Sequence, residues 1–208
     1  VTGIEPSSAM RARAAKRLAA LPERVGRRVR QVAGSAAEPH LASDERFDVI
    51  LFGCNTFAHL LVDALRTAVL ADLRMHLLPA GTLLLDLDIA GPRRMTETMG
   101  LLWLSGTWPL PGAPLETLAH FSSAIARPAP DTVHITHFYD VWAPGGTLRR
   151  TTTRMAMALL HPNDVERSLI AAGYRVRERF GSYELAPWDE DAPRAVLVAV
   201  PDGEFAEG

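Results

Sequence analysis

The chain has 208 residues, 48% hydrophobic content, a formal net charge of -2 and one cysteine. These values suit one ordinary core and argue against a disordered, fibrous or disulfide-stapled chain; the lone Cys54 fits a reducing cytoplasm. With no basic patch interleaved with aromatics, no apolar run near the about 20 residues of a membrane span, and no leader pattern at Val1–Met10, neither nucleic acid nor membrane is an expected partner.

The first residues predict a short strand ending at the acidic Glu5, followed by a helix over Ala9 to Leu21 that Ser7 or Ser8 caps and Pro22 ends. Arg28 to Val32 is a strand candidate leaving through Ala33-Gly34-Ser35, and the chain to Glu45 is loop or weak helix. Phe47 to Phe52 is an apolar run expected of a parallel strand covered on both faces. Gly53 to Thr56 then turns the chain into a helix over about Leu60 to Leu77, with Leu61, Leu65, Ala68, Leu73 and Leu77 facing a core. Pro79-Ala-Gly81 punctuates it, and Thr82 to Asp88 is the next strand. Strand, helix and strand thus recur, which predicts an α/β fold with a parallel, doubly wound sheet.

After Asp88 the rhythm changes. Gly91 to Gly100 reads as loop with a short helix, and Pro109, Pro111, Gly112 and Pro114 read as irregular chain. Glu116 to Ala126, Thr132 to Trp142 and Thr147 to Leu160 form an expected three-stranded antiparallel meander with turns at Pro128–Asp131 and Pro144–Gly146. Pro162 to Ala172 predicts a helix capped near His161 to Asn163 and closed by Gly173. Tyr174 to Glu184 and Arg194 to Val200 are the last strands, and the tail after Pro201 is expected to be mobile.

In this order, Gly3-Ile-Glu-Pro-Ser-Ser-Ala-Met10, Phe47 to Leu60, Leu77 to Asp86 and Ala171 to Val176 resemble class I S-adenosylmethionine-dependent methyltransferases acting on small molecules. The meander and the closing phrase Tyr183 to Val198 are similar to glycine and amino-sugar N-methyltransferases. The resemblance implies a Rossmann-like cofactor part over 1–90, a substrate-covering meander over 91–160, a C-terminal helix and hairpin over 161–201, and a tail over 202–208. It implies S-adenosylmethionine as cofactor, and a nitrogen or oxygen of a small molecule as acceptor. Two departures stand out: the glycine-rich first motif is missing, and Gly34-Ser35 stands where the family often has an acid. An opening segment of about 30 to 50 residues ahead of Val1 is the expectation that accounts for this, with a degenerate, non-catalytic partner or scaffold as the alternative and a nicotinamide-dependent reductase as a third reading. Severely weakened cofactor affinity is expected without the glycine turn. An unpaired sheet edge would be covered either by such a segment or by a second copy in a homodimer.

Methyl transfer at a sulfonium needs alignment and water exclusion more than acid-base groups. Glu5 suits the vicinal ribose hydroxyls, the bland alternative being a charge at a helix N-terminus. Pro6 and Met10 either contact the adenine or belong to the core, while Ser35 and the Ala36 amide offer hydrogen bonds to the adenine edge. Gly53, Cys54 and Asn55 leave a strand at its carboxyl end, where ligands of open α/β sheets sit, although Cys54 reads as a small packed residue. His59 is a candidate base or a histidine satisfied in its helix turn. His134 and Tyr139 complete the catalytic candidates, but alternation puts His134 on the face opposite His137 and Tyr139, which disfavours a metal pair. Trp103, Trp108, Phe121, Tyr139 and Trp142 either wall a pocket or form core; Arg149, Arg150 and Arg154 either meet an acidic substrate or are solvated.

Overall fold

A computed structural model describes residues 1–89, 97, 99–126 and 131–203. Most of the loop expected over Gly91–Gly100, most of the turn at Pro128–Asp131 and the end of the tail lie outside the described residues.

Strand β1 (Thr2–Glu5) pairs parallel with β2 (Arg30–Ala33) as a two-stranded sheet. Between them run α1 (Ser8–Ala19) and α2 (Glu23–Gly26). The Ser7 Oγ accepts from the Met10 amide at 3.3 Å, satisfying one orphan donor of α1. Arg11 donates to the carbonyls of Glu5 and Pro6, both at 2.7 Å, and so pins the strand-to-helix turn. The amphipathic pattern of α1 is real, yet it buries no residue. Its apolar side instead lines an open groove of about 350 Å³, with Ile4, Met10, Ala14, Leu18 and Val29 at its wall.

Strand β3 (Phe47–Phe52) pairs parallel with β4 (Leu77–Asp88). A 3-10 turn (Thr56–His59) and α3 (Asp63–Met75) make the crossover. The remaining elements are β5 (Leu102–Leu110), β6 (Ala113–Ala126), β7 (Thr132–Trp142), β8 (Arg149–Ala158), α4 (Pro162–Ala171), β9 (Tyr174–Phe180) and β10 (Arg194–Pro201). Strand β10 inserts antiparallel between β4 and β9, giving the sheet order β3-β4-β10-β9. Leu83, Leu85 and Leu87 of β4, Leu197 of β10, and Val165 and Leu169 of α4 are fully buried in its core. The Tyr174 hydroxyl donates to the Leu70 carbonyl at 3.0 Å inside that core and ties β9 to α3.

Several expectations change. Helix α3 starts at Asp63, because Val62 is extended (φ -104°, ψ 132°); Leu61 therefore precedes the helix and, like Leu65, is exposed, while Val69, Leu70 and Leu73 are the buried stripe. Strand β4 runs straight through Pro79-Ala-Gly81, with its register against β3 shifting between Phe47 and Val49. A Cβ on Gly81 would lie 3.0 Å from the Phe47 carbonyl oxygen, so this close approach requires glycine. Strand β3 is covered on one face only. Ile50 and Phe52 meet the core, whereas Val49 and Leu51 on the opposite face are 54% and 64% exposed, because no element among the described residues packs there.

The meander has four strands rather than three, in the order β5-β6-β7-β8. Pro109 is tolerated because β5 is an edge strand, and Gly112, at φ 84°, turns it into β6. On one face of this sheet Val133, Ile135 and Met157 bury Ala58 of the 3-10 turn, with Trp103 and Met155 packed alongside. That contact sets the meander over the carboxyl end of β3. Helix α4 has the predicted caps: His161 Nδ1 accepts from the Asn163 amide at 3.2 Å and Gly173 takes φ 81°. Among the described residues no helix is long and apolar enough to cross a membrane.

Candidate active site

Glu5, Ser35 and Gly53–Asn55 lie at or just past the carboxyl ends of β1, β2 and β3. At the tip of β1, Glu5 Oε1 accepts from the Ser7 amide at 2.8 Å, which fixes the carboxylate beside the N-terminus of α1. After β2, Gly34 allows a tight turn in which the Ser35 amide donates to the Glu38 carbonyl at 3.0 Å. A Cβ at Gly34 would stand 2.6 Å from that oxygen. The Ser35 Oγ accepts from the Glu38 amide at 3.2 Å, so the hydroxyl serves the turn, and Ala36 packs against the main core.

After β3 the backbone is strained: Cys54 and Asn55, both non-glycine, take left-handed φ values of 54° and 58°. The strain is held by Asp86 of β4, itself only 4% exposed. The Cys54 amide donates to Asp86 Oδ2 at 2.8 Å, and the Asn55 amide donates to the Asp86 carbonyl at 3.1 Å. Asn55 Oδ1 in turn accepts from the Asp88 amide at 3.3 Å, so Asn55 is buried as a brace. The Tyr183 hydroxyl donates to Asp86 Oδ2 at 2.8 Å, and Arg194 forms an ion pair with the other oxygen while lying over the Tyr183 ring at 4.2 Å. The hydrogen bond to Asp86 pushes the Tyr183 phenol above its ordinary pKa. Cys54 itself is exposed, not packed as its size suggested, because the left-handed turn directs it out of the core.

Sequence reasoning missed Asp86, Tyr183 and Arg194. Asp86 offered a signal, an acid inside an apolar strand, but its partners lie 97 and 108 residues away.

Of the catalytic candidates, His59 ends the 3-10 turn and is exposed, next to Ala58 in the contact under the meander. His134 and Tyr139 stand on opposite faces of β7; His134 is exposed and opposes Ala156. Tyr139 belongs to a cluster on the covered face. It stacks on His120 of β6, ring centroids 4.8 Å apart and 7° from coplanar. His120 Nε2 lies 3.0 Å from His137 Nδ1, and the buried Ser122 Oγ lies 3.3 and 3.0 Å from the same two nitrogens. The aromatic wall divides: Trp103 and Tyr139 share the covered face, while Phe121 pairs with Phe138 on the other, under the Arg150 guanidinium. Arg150 forms a bidentate pair with buried Asp140 at 2.6 and 2.7 Å, and Arg149 pairs with Glu116 at 2.7 Å, so neither faces an acidic substrate.

Comparisons with known proteins bear on the family and the fold. Residues 1–83 match the family model described as Methyltransferase domain. No curated protein sequence matches the chain. Among solved structures it is similar to the CcbJ methyltransferase from Streptomyces caelestis, at 22% identity and TM-score 0.79 over 98% of this chain and 75% of that one. An S-adenosylmethionine-dependent methyltransferase from Clostridium acetobutylicum is similar at 11% identity and TM-score 0.78, over 97% and 75% of the two chains. CalS10, an amino pentose methyltransferase from Micromonospora echinaspora, is similar at 21% identity and TM-score 0.68, over 97% and 73%.

The first 83 residues match a methyltransferase domain, and the chain has the fold of S-adenosylmethionine-dependent methyltransferases over nearly its whole length.

Proposed function

We propose that the chain transfers a methyl group from S-adenosylmethionine to a nitrogen or oxygen of a small molecule held under the meander. The observation that carries this reading is that a carboxylate, Glu5, ends one parallel strand and a strained turn, Gly53–Asn55, ends another. Ligands of open α/β sheets are bound by such strand ends.

The residues fit the donor. Glu5 has a carboxylate oxygen beyond its bond to Ser7 for ribose hydroxyls, and Met10 lies at the wall of the groove beside it, close to the turn of Pro6. Ser35 builds the turn, its amide and hydroxyl both engaged with Glu38, and the Ala36 amide that follows meets the adenine edge. Gly53 and Cys54 present a backbone fixed by Asp86, with Asn55 bracing it from within. S-adenosylmethionine supplies an electrophilic methyl on a sulfonium sulfur. The protein then has to hold the acceptor in line and exclude water.

An amine is the acceptor this reading favours, because CalS10 is an amino pentose methyltransferase and KedS8 a sugar N-methyltransferase. His59, beside the buried Ala58, is proposed to face that acceptor; His134, exposed on the far face of β7, is proposed no role in it. With its one cysteine a free, exposed thiol, the proposed compartment is the reducing cytoplasm.

Calorimetric titration of the 208-residue chain with S-adenosylmethionine tests the reading. The sequence has no glycine-rich turn, so binding weaker than micromolar is expected. Glu5→Gln should weaken it a further about tenfold or more, the value of about 1.5 to 3 kcal/mol for hydrogen bonds to a charged group. No binding at millimolar donor would favour a scaffold role, and preference for a reduced nicotinamide would favour the reductase.

A further inference from the structure

The covered face of the meander holds a titratable cluster that the donor site does not use. His137 Nε2 lies 3.2 Å from the sulfur of Met155. Sulfur of a thioether only accepts, so Nε2 carries a hydrogen and His137 Nδ1 presents a lone pair. That lone pair faces His120 Nε2 and the Ser122 hydroxyl, each at 3.0 Å. His120 therefore donates through Nε2 when Ser122 does not, and its Nδ1 has no bond to a described residue. Tyr139 fixes the plane of the His120 ring from the side.

The position of the cluster follows from strand spacing. Ile135, two residues before His137 and about 6.6 Å along the same face, buries Ala58 of the turn after β3. The pair thus lies just past the point where the meander meets Ala58 in the turn after β3. The flanking side chains on this face are Leu118, Ile135, Val141, Thr151, Thr153 and Met155, and the nearest formal charges on it, Arg149 and Glu116, neutralise each other. Little else competes for a proton there.

Resting on the methyl-transfer reading, we propose that His120 and His137 form a two-imidazole proton relay that deprotonates the acceptor amine. An N–H bond of the acceptor ammonium breaks as its proton joins His120 Nδ1, and the electron pair stays on the acceptor nitrogen. The His120 Nε2–H bond breaks as that proton joins His137 Nδ1, leaving the positive charge on His137 with its Nε2–H on Met155. After product leaves, the proton returns by the same route to water. His120 is the residue that touches the acceptor, and His137 acts through it. Burial and the neighbouring His120 hold the His137 imidazole below its ordinary pKa, so it rests neutral with its Nδ1 lone pair facing His120, and the charge that it takes up is passed on rather than kept.

Imidazole nitrogen NMR of the full chain, followed against pH, tests the relay without any acceptor. His137 is expected as the Nε2–H tautomer, titrating below the ordinary histidine value, and His120→Gln is expected to raise the His137 midpoint by removing the neighbouring imidazole. Diethyl pyrocarbonate at pH 7, read by mass spectrometry, is expected to modify His120 several-fold faster than His137, whose two nitrogens are engaged. An Nδ1–H tautomer at His137, independent titration of the rings, or equal modification rates would overturn the relay. Calorimetry with S-adenosylmethionine on His120→Gln separates the two levels: donor affinity equal to wild type is expected, a loss of affinity in the variant would make the pair structural, and no binding by wild type overturns the methyl-transfer reading instead.

Discussion

The two sides of the cofactor part differ in how their hydrophobic patterns are used. On the side of β4, β10 and β9, Leu83, Leu85 and Leu197 are fully buried, and α3 and α4 close the sheet. On the side of β1 and β2, the helix α1 has a similar stripe of apolar residues but buries none of them, and Val49 and Leu51 lie exposed on the uncovered face of β3. Periodicity thus specifies which face of an element is apolar; whether that face is covered depends on what stands opposite. Stability should be concentrated on the closed side and be nearly absent from the open one.

The largest contrast should come from matched truncations across that boundary. Leu197→Ala is expected to lower unfolding stability by about 2 to 5 kcal/mol, and Leu51→Ala to change it by no more than about 0.5 kcal/mol, both from urea denaturation. Comparable losses would break the distinction. A backbone constraint on the open side is the next test: Gly34→Ala places a Cβ against the Glu38 carbonyl and should cost about 1 to 3 kcal/mol. Because the turn holds Ser35 and Ala36, that variant should also weaken donor binding in the same calorimetric assay, which a change confined to the closed side would not do. Smallest is Tyr174→Phe, which removes the bond to the Leu70 carbonyl and should cost about 1 kcal/mol at neutral pH. Burial pushes the Tyr174 phenol well above its ordinary value of 10.0. Its contribution is therefore complete below pH 10 and is lost above it as the unfolded chain ionises, so the gap between wild type and variant should narrow in alkaline denaturation curves.

Much of this architecture was legible because local chemistry dictated it. Ser7 marked the start of α1, His161 and Gly173 bracketed α4, and alternation separated His134 from His137 and Tyr139. Strand β5 was not legible, since Trp103 to Leu110 carries Pro109 and leads into Pro111-Gly112, a composition that an edge strand accepts but a central one would not. Pro79 misled in the same way, because the register shift opposite Phe47 absorbs it. The geometry of the candidate site was legible where a strand end forms it, at Glu5 and Gly53–Asn55, and illegible where it depends on register. His120 meets His137 only because Ser122 pairs with His137 across β6 and β7, and Asp86 meets Tyr183 and Arg194 only after β9 and β10 have returned to the sheet.

Cys54 is the one thiol of the chain and Lys16 its one lysine, the first exposed at the tip of β3 and the second on α1. The chain can therefore carry a maleimide dye at the turn after β3 without mutagenesis, and an amine-reactive partner dye on α1, the terminal amine being the other amine that competes for the label. Energy transfer between the two dyes would follow the distance from α1 to the turn after β3 directly, and quenching at Cys54 would signal occupancy of that strand end in real time.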